Sequence, residues 1–251
     1  MTRIIIHGCN GKMGRVVASL AASDEKLRVV AGIDVSDSGA NPYPVFRTLA
    51  ECDVEADVVV DFSYAGAVDA LLDACAAKKL PVVVCTTGLS EAQTARLSET
   101  ARTIPVLKSA NMSVGINLLM KILRPVVQTL SEAGFDMEIV EKHHNQKVDA
   151  PSGTALALAD VMNETLGGAY EYRYDRSSVR EKRPAKEIGI SAVRGGTIVG
   201  DHEVIFAGAD EVITLKHTAY SKAIFAKGAL EAAKYLKGRP VGLYDMSDVI
   251  G

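Results

Sequence analysis

Several protein classes are excluded by what the sequence lacks. No apolar run approaches the ~20 residues of a membrane span, and the start has no apolar signal stretch, so we expect a cytoplasmic protein with no membrane partner. The formal net charge is only -3, and no basic footprint suggests a nucleic-acid partner. The cysteines are few and scattered, without CxxC or Cys/His ligand spacing: Cys9, Cys52, Cys75 and Cys85. We therefore expect neither a disulfide framework nor a metal site.

The order of apolar patterns predicts two kinds of sheet. Over the first 110 or so residues, β-branched runs such as "RIIIHG" and "PVVVCTTG" alternate with helical stretches, which is typical of a parallel sheet covered by helices. From about residue 135, "DMEIVEKHH", "HEVIFA" and "EVITLKHTA" predict strands of a mixed α+β unit. Hairpin turns are expected at "RGG" (194–196) and "AGAD" (207–210), and a solvated loop at 176–186.

A glycine loop, "HGCNGKMGR", follows the first predicted strand and opens the first helix. Gly8, Gly11 and Gly14 suit a tight turn in which backbone amides approach a pyrophosphate, although glycines also end strands for structural reasons alone. Asp34 ends the second strand 20 positions after Gly14, where a ribose-hydroxyl acceptor is expected. The alternative is that Asp34 is a turn residue before "SDSG" (36–39).

The expected coenzyme is NADH or NADPH, with a preference for NADH. A carboxylate at Asp34 accepts hydrogen bonds from ribose hydroxyls and repels a 2'-phosphate. No arginine follows Asp34, but Lys12 and Arg15 in the loop offset part of that repulsion.

The segment "EKHHNQKVDAPSGTA" (141–155) combines a proton carrier, a cation and a helix start. Histidine titrates near neutral pH, Lys147 supplies a positive charge, and Gly153 leaves the first helical amides open to a carboxylate. These features predict the reduction of a carboxylated substrate. The alternative is a histidine pair at a strand end beside a helix capped by Asp149 or Ser152.

This segment resembles the signature E-x-H-H-x-x-K-x-D-A-P-S-G-T-A of the 4-hydroxy-tetrahydrodipicolinate (dihydrodipicolinate) reductase family. The resemblance runs essentially from end to end. It includes "GCNGKMG", "DFS" (61–63), "CTTG" (85–88), "SANMSVGINLL" (109–119), "AVRGGTIVGDHEVIF" (192–206) and "GLYDMSDV" (242–249).

The resemblance implies roles for individual residues. His143 would be the catalytic proton donor and Lys147 its cationic partner, with the substrate carboxylates held by His144, Ser152, Gly153 and Thr154. The coenzyme would lie against Gly8, Cys9, Asn10, Gly11, Lys12, Met13, Asp34, Cys85, Thr86, Thr87, Ser109, Ala110, Asn111 and Met112. Two positions depart from the family pattern, since Cys85 stands in place of a usual glycine and Lys222 in place of a common arginine.

The implied fold is α/β: a Rossmann-like dinucleotide-binding domain, residues 1–114 and 221–251, with an inserted α+β domain of mixed sheet, residues 115–220, for substrate binding and oligomerisation. The implied function is NAD(P)H-dependent reduction of 4-hydroxy-tetrahydrodipicolinate, a small dicarboxylate, by a homotetramer in lysine and diaminopimelate biosynthesis. The alternatives are another two-domain dehydrogenase of the amino-acid type and an NADH-sensing protein without turnover.

Overall fold

The chain forms two compact units, each with its own sheet and hydrophobic core. The computed structural model describes residues 1–36 and 40–251, so most of the "SDSG" turn predicted after Asp34 lies outside the described residues. The first unit contains Met1–Val114 and Ala223–Gly251, and the second contains Gly115–Lys222. Within the described part of the chain, no helix is both long and apolar enough to span a membrane.

The first unit contains a seven-stranded parallel sheet in the order β12-β6-β5-β4-β1-β2-β3. Its strands are β1 (Thr2–His7), β2 (Leu27–Ile33), β3 (Val45–Phe46), β4 (Val58–Asp61), β5 (Val82–Val84), β6 (Pro105–Lys108) and β12 (Gly242–Tyr244). Its helices are α1 (Lys12–Ala22), α2 (Ala65–Lys78), α3 (Glu91–Thr100), α6 (Ala223–Leu236) and α7 (Met246–Ile250).

Side chains of β1 are buried on both faces of this sheet. Ile4 and Ile6 pack with residues of α1 and α6, whereas Ile5 packs on the opposite face with residues of α2 and α3. Two covered faces explain the uninterrupted apolar runs, because a buried parallel strand has no solvent side. The predicted Rossmann-like sheet is confirmed.

The second unit is built on a five-stranded mixed sheet in the order β11-β10-β7-β9-β8. The strands are β7 (Asp136–His143), β8 (Glu171–Tyr174), β9 (Glu187–Arg194), β10 (Gly200–Ala207) and β11 (Val212–Ala219). Helices α4 (Val114–Glu132) and α5 (Gly153–Thr165) contribute to a core with Met137, Ile139 and Phe206. The prediction of an α+β unit with a mixed sheet is confirmed.

One local prediction for the second unit is wrong. The "RGG" turn does not join a hairpin, because β7 lies between β9 and β10 and pairs with β9 in parallel. By contrast, "AGAD" does join antiparallel neighbours, β10 and β11, as predicted. The 176–186 run is a mostly exposed loop, as predicted, in which Arg176 pairs with Glu187 and Arg183 pairs with Asp136 and Glu138.

Candidate active site

The core face of β7 changes from apolar to polar along the strand. Met137 and Ile139 belong to the hydrophobic core, and Glu141 and His143 continue the same alternation. Glu141 is fully buried and His143 is 8% exposed. Side chains of a strand alternate between the two faces of a sheet with a period of two. The same face of β7 therefore carries apolar side chains near the start of the strand and a carboxylate and an imidazole near its end.

Neighbouring strands bring their own polar side chains to this end. On β10, His202 is paired with Glu141, and on β9, Arg194 is paired with His143. His202 is 4% exposed, and the Arg194 side chain is 20% exposed. Strand register therefore brings Arg194 and His202, which are distant in sequence, to the Glu141 and His143 side chains of β7.

Glu141 binds the imidazole of His143 directly. The Nδ1 atom of His143 lies 2.6 Å from Oε2 of Glu141. Burial alone would raise the pKa of Glu141, but hydrogen bonds from Arg194, His143 and the amide of Ser152 hold that pKa below its usual range. An ionised carboxylate only accepts, so Nδ1 carries the hydrogen of this bond.

Arg194 holds the same carboxylate in a two-pronged contact. Its Nη1 donates to Oε2 of Glu141 at 2.8 Å and its Nη2 to Oε1 at 2.7 Å. Nη2 also donates to the backbone oxygen of Asp149 at 2.7 Å. This fork geometry fixes both the carboxylate and the loop before α5.

The N-terminus of α5 is attached to this cluster. Ser152 is the N-cap, its Oγ accepting from the amide of Ala155 at 3.2 Å, so the cap is Ser152 rather than Asp149. The Ser152 amide donates to Oε1 of Glu141 at 2.9 Å, and its Oγ lies 3.1 Å from Nε2 of His202. Gly153 follows with nothing within 4 Å of the position that a Cβ would occupy.

His202 stays neutral at neutral pH. Burial, followed by the charge of His143, lowers the pKa of His202 to about 4. The ring edges of His143 and His202 meet at a centroid separation of 5.2 Å. His143, unlike His202, is bonded to the carboxylate of Glu141, which can stabilise a positive charge on its ring.

Gly200, at the start of β10, leaves room beside His143. A Cβ on Gly200 would lie 3.0 Å from Nε2 of His143 and 3.8 Å from Cε1 of His202. Among the described residues, Nε2 has no hydrogen-bond partner, while Nδ1 is held by Glu141. Nε2 is therefore the nitrogen available for proton transfer.

The remaining predicted substrate residues lie along the loop and the start of α5. Lys147 is half-buried, and its Nζ lies 2.8 Å from Oδ1 of Asp149. His144 is half-buried and its backbone oxygen accepts from the amide of Lys147 at 3.1 Å. Thr154 is half-buried in the first turn of α5. The loop thus carries a cation, and the helix start has open space at Gly153, both of which suit a carboxylate.

The glycine loop of the first unit fits a dinucleotide. Gly8 has φ +79°, and a Cβ there would lie 2.7 Å from the backbone oxygen of Phe62. A Cβ on Gly14 would lie 2.1 Å from the backbone oxygen of Gly8, so only glycine lets α1 approach the loop. Gly11 is the N-cap and makes no side-chain cap bond, and the first turn has no acidic residue. This arrangement suits a pyrophosphate.

Asp34 lies beside that loop. Its Oδ2 accepts from the amide of Asn10 at 2.9 Å, and its Oδ1 accepts from the amide of Ser36 at 3.2 Å. A cavity of about 610 Å³ is lined by Gly8, Gly11, Asp34, Arg47 and Tyr64, among others. The position and size of the cavity fit the nucleoside half of a dinucleotide, at the carboxyl ends of β1 and β2.

The other predicted coenzyme residues divide into core and surface positions. Cys9, Cys85 and Met112 are buried within the core, so their side chains are structural and only their backbone can face a ligand. Burial accordingly raises the pKa of the Cys85 thiol. Lys12, Thr87 and Ala110 are exposed, while Met13, Ser109 and Asn111 are half-buried.

Thr86 is buried and bonded to a carboxylate. Its Oγ1 donates to Oδ2 of Asp61 at 2.7 Å, and Nδ1 of His7 lies 2.8 Å from Oδ1 of the same residue. Burial would raise the pKa of Asp61, but hydrogen bonds from His7, Ser63 and Thr86 lower it. Asp61 therefore stays charged and fixes the loops that follow β4 and β5.

A parallel sheet with a glycine loop, and a separate unit with a histidine–carboxylate pair beside a helix start, define a pyridine-nucleotide-dependent oxidoreductase. Comparison with known proteins gives the family. Residues 2–112 match the model for the N-terminus of dihydrodipicolinate reductase, and residues 115–250 match the model for its C-terminus. The chain belongs to the dihydrodipicolinate reductase family, as the sequence predicted.

Individual relatives agree over their whole length. A 4-hydroxy-tetrahydrodipicolinate reductase from Caldanaerobacter subterraneus subsp. tengcongensis is 52% identical over 250 residues, covering 100% of this chain and 98% of the relative. One from Clostridium novyi is 50% identical with the same coverage. A dipicolinate-bound dihydrodipicolinate reductase structure from Paenisporosarcina sp. TG-14 superposes with a TM-score of 0.80 at 26% identity, covering 98% and 97% of the two chains.

The structure adds residues that sequence reasoning missed. Glu141, Arg194, His202 and Gly200 surround His143, and Arg47 lines the cavity beside Asp34. The sequence alone could have placed Glu141 beside His143, because Glu141 precedes His143 by two residues in a predicted strand and so lies on the same face. Arg194 and His202 depended on strand order, which no local pattern reveals.

Proposed function

We propose that the chain catalyses the NAD(P)H-dependent reduction of 4-hydroxy-tetrahydrodipicolinate to tetrahydrodipicolinate, a step of lysine and diaminopimelate biosynthesis. The observation that carries this proposal is the His143–Glu141 pair beside the N-terminus of α5, within a chain of this family. The first unit binds the coenzyme and the second binds the dicarboxylate.

The residues of the second unit have separate tasks. A bound coenzyme would supply a hydride to the ring of the dehydrated dicarboxylate, which forms from 4-hydroxy-tetrahydrodipicolinate by loss of its hydroxyl group as water. Nε2 of His143 delivers a proton to the adjacent carbon. Lys147 stabilises the negative charge, because a positioned cation is most effective where charge develops in the transition state. The amides of Gly153 and Thr154 and the ring of His144 bind the two carboxylates, while Ser152 holds the helix start in place.

The direct test is coenzyme oxidation followed at 340 nm with enzymatically generated substrate, using wild type and His143→Gln. General acid catalysis is worth ~10²- to 10⁴-fold, so kcat of the variant should fall within that range. Binding of NADH should stay nearly unchanged, because His143 belongs to the other unit. An equal loss of NADH affinity in a folded variant would contradict the assignment.

A second test uses dipicolinate, the ligand named in the Paenisporosarcina structure. Dipicolinate should inhibit competitively against the substrate and raise the melting temperature in the presence of NADH. The absence of any thermal shift at saturating ligand would exclude the carboxylate site on α5. The NADH-sensing alternative is separated by the same assays, since a sensor would bind NADH without consuming it.

The proposal also includes the oligomeric state and the location of the protein. Val140, Ile205 and Val193 lie on strand positions of β7, β10 and β9 that alternate with the core-facing ones, and Val193 is 45% exposed. A homotetramer would bury this face of the second sheet. Light scattering coupled to size exclusion measures the subunit count directly. We also propose a cytoplasmic location, which cell fractionation tests.

A further inference from the structure

The carboxylate of Glu141 is fully engaged by protein donors. Its Oε2 receives Nδ1 of His143 and Nη1 of Arg194, and its Oε1 receives Nη2 of Arg194 and the amide of Ser152, at 2.6 to 2.9 Å. An ionised carboxylate has about four acceptor positions, so none is left for a substrate. A fully buried carboxylate is costly without such partners, which means that Glu141 depends on Arg194 for its charge.

These contacts fix the catalytic ring. With Nδ1 held by Glu141, the imidazole plane is set, and Nε2 faces the space left by the missing side chain of Gly200. In the neutral ring the hydrogen is then on Nδ1, and in the charged ring the second hydrogen is on Nε2.

The Glu141–Arg194 pair is also connected to Lys147, the cation of the site. Nη2 of Arg194 holds the backbone oxygen of Asp149, whose side chain pairs with Lys147. The Ser152 amide is bound by Glu141 itself, so the loop 144–152 is attached to the pair near its C-terminal end.

We propose that the Glu141–Arg194 pair is the positioning device of the active site, which directs Nε2 of His143 towards the substrate and holds the Lys147 loop in register with it. This inference rests on the proposed function. Glu141 and Arg194 are positioning residues, because each acts through another residue of the site. Glu141 acts on the ring, and Arg194 acts on Glu141 and on the loop.

The first experiment compares Glu141→Gln with Glu203→Gln. Glu203 is a matched control: it lies on β10 of the same sheet and pairs with Lys142 and Lys216, but does not contact His143. For Glu141→Gln we expect kcat to fall by about 100-fold, within the range of general acid catalysis. KM and the Kd of dipicolinate should change by less than about threefold, because the binding groups remain. Glu203→Gln should keep the wild-type kcat.

A substitution of Arg194 tests the second member of the pair. Arg194→Lys keeps the charge but loses the fork, so it should lower kcat and also raise KM through the loosened loop. A folded Glu141→Gln variant with wild-type kcat would overturn the proposal.

A measurement on the wild-type protein keeps the proposal testable if Glu141→Gln and Arg194→Lys do not fold. In ¹⁵N-histidine-labelled protein, the His143 signals are identified by their loss in His143→Gln. At high pH the hydrogen of the neutral ring should be on Nδ1, with Nε2 unprotonated. A hydrogen on Nε2 instead would overturn the proposal. Absence of reductase activity in wild type would contradict the proposed function, while the tautomer would still test the geometry.

Discussion

The Nζ of Lys147 lies 2.8 Å from Oδ1 of Asp149, and the residue between them, Val148, is 98% exposed. The hydrogen bond from Lys147 lowers the pKa of Asp149, so the pair is charged at neutral pH. A dicarboxylate that approaches Lys147 must therefore compete with Asp149. Because Asp149 is 60% exposed, solvent weakens this competition. We therefore expect Asp149 to change the affinity for a dicarboxylate by only a small factor.

Lys147→Ala should lower kcat by at least tenfold with little effect on NADH binding, because it removes the cation but no part of the coenzyme unit.

Asp149→Asn should act in the opposite direction and lower the inhibition constant of dipicolinate by about two- to fivefold, since it frees Lys147 and removes a like charge. Steady-state kinetics with both variants checks this. A weaker dipicolinate affinity in Asp149→Asn would show that Asp149 supports binding instead of competing with it.

Gly200→Ala should impair proton transfer more than stability. The added Cβ would lie 3.0 Å from Nε2 of His143, so the ring must shift by a few tenths of an ångström. Misplacement of a catalytic group by 1 Å costs about 100-fold, and we expect about a tenfold fall in kcat here. Gly195→Ala is the matched control, because nothing lies within 4 Å of a Cβ there. Equal kcat in the two variants would contradict the assignment of Nε2 as the proton donor.

Local sequence patterns predicted the parallel sheet, the glycine loop and the segment 141–155 because each depends on residues close together in the chain. Val58, Val59 and Val60 are buried on both faces, so a continuous apolar run was sufficient to identify that strand. His143 and Lys147 lie in one short segment whose composition is itself the signal.

The parts that could not be predicted depend on strand order. "RGG" has hairpin composition, yet β7 lies between the two strands that it connects, because the partner of a strand is set by tertiary packing. Arg194 reaches Glu141 only because β9 is parallel to β7 in that register. Arg183 looks solvated by its neighbours in sequence, but its partners are Asp136 and Glu138 on β7.

Coenzyme choice should depend on Asp34 and Arg47 in opposite ways. Asp34 is held at the glycine loop by the amide of Asn10, where its charge opposes a 2'-phosphate. We expect both coenzymes to work, with NADH favoured in kcat/KM by about tenfold, or about 1.4 kcal/mol. Asp34→Ser should shrink or invert this ratio.

Arg47 lines the same cavity and has no ion-pair partner among the described residues. Arg47→Ala should therefore reduce kcat/KM for NADPH by about three- to tenfold and leave NADH nearly unchanged, because a rim cation favours only the coenzyme with the extra phosphate. Fluorescence titration of each coenzyme measures the binding part of this effect. A wild-type preference for NADPH above tenfold would show that the loop cations Lys12 and Arg15 outweigh Asp34.

Asp57 should make the stability of the first unit pH-dependent. Burial would raise its pKa, but hydrogen bonds from the amide and guanidinium of Arg3 and from Lys237 lower it to about 2, against an ordinary value of 3.8. The unfolded chain therefore binds more protons between these values, and stability rises with pH in that window. The contribution is complete above about pH 4 and is lost as the pH falls through about 2.

Asp57→Asn should consequently lower the free energy of unfolding by about 1–2 kcal/mol at pH 7, since the side chain is 16% exposed and lies at the boundary with solvent. The difference between variant and wild type should shrink steadily from pH 4 to pH 2. Glu55→Gln is the control: Glu55 also pairs with Arg3, but its side chain is 87% exposed, so its loss should have no measurable effect. Urea unfolding of both variants at several pH values measures these differences, and a loss in Asp57→Asn that is the same at pH 3 and pH 7 would mean that the carboxylate charge is not its source.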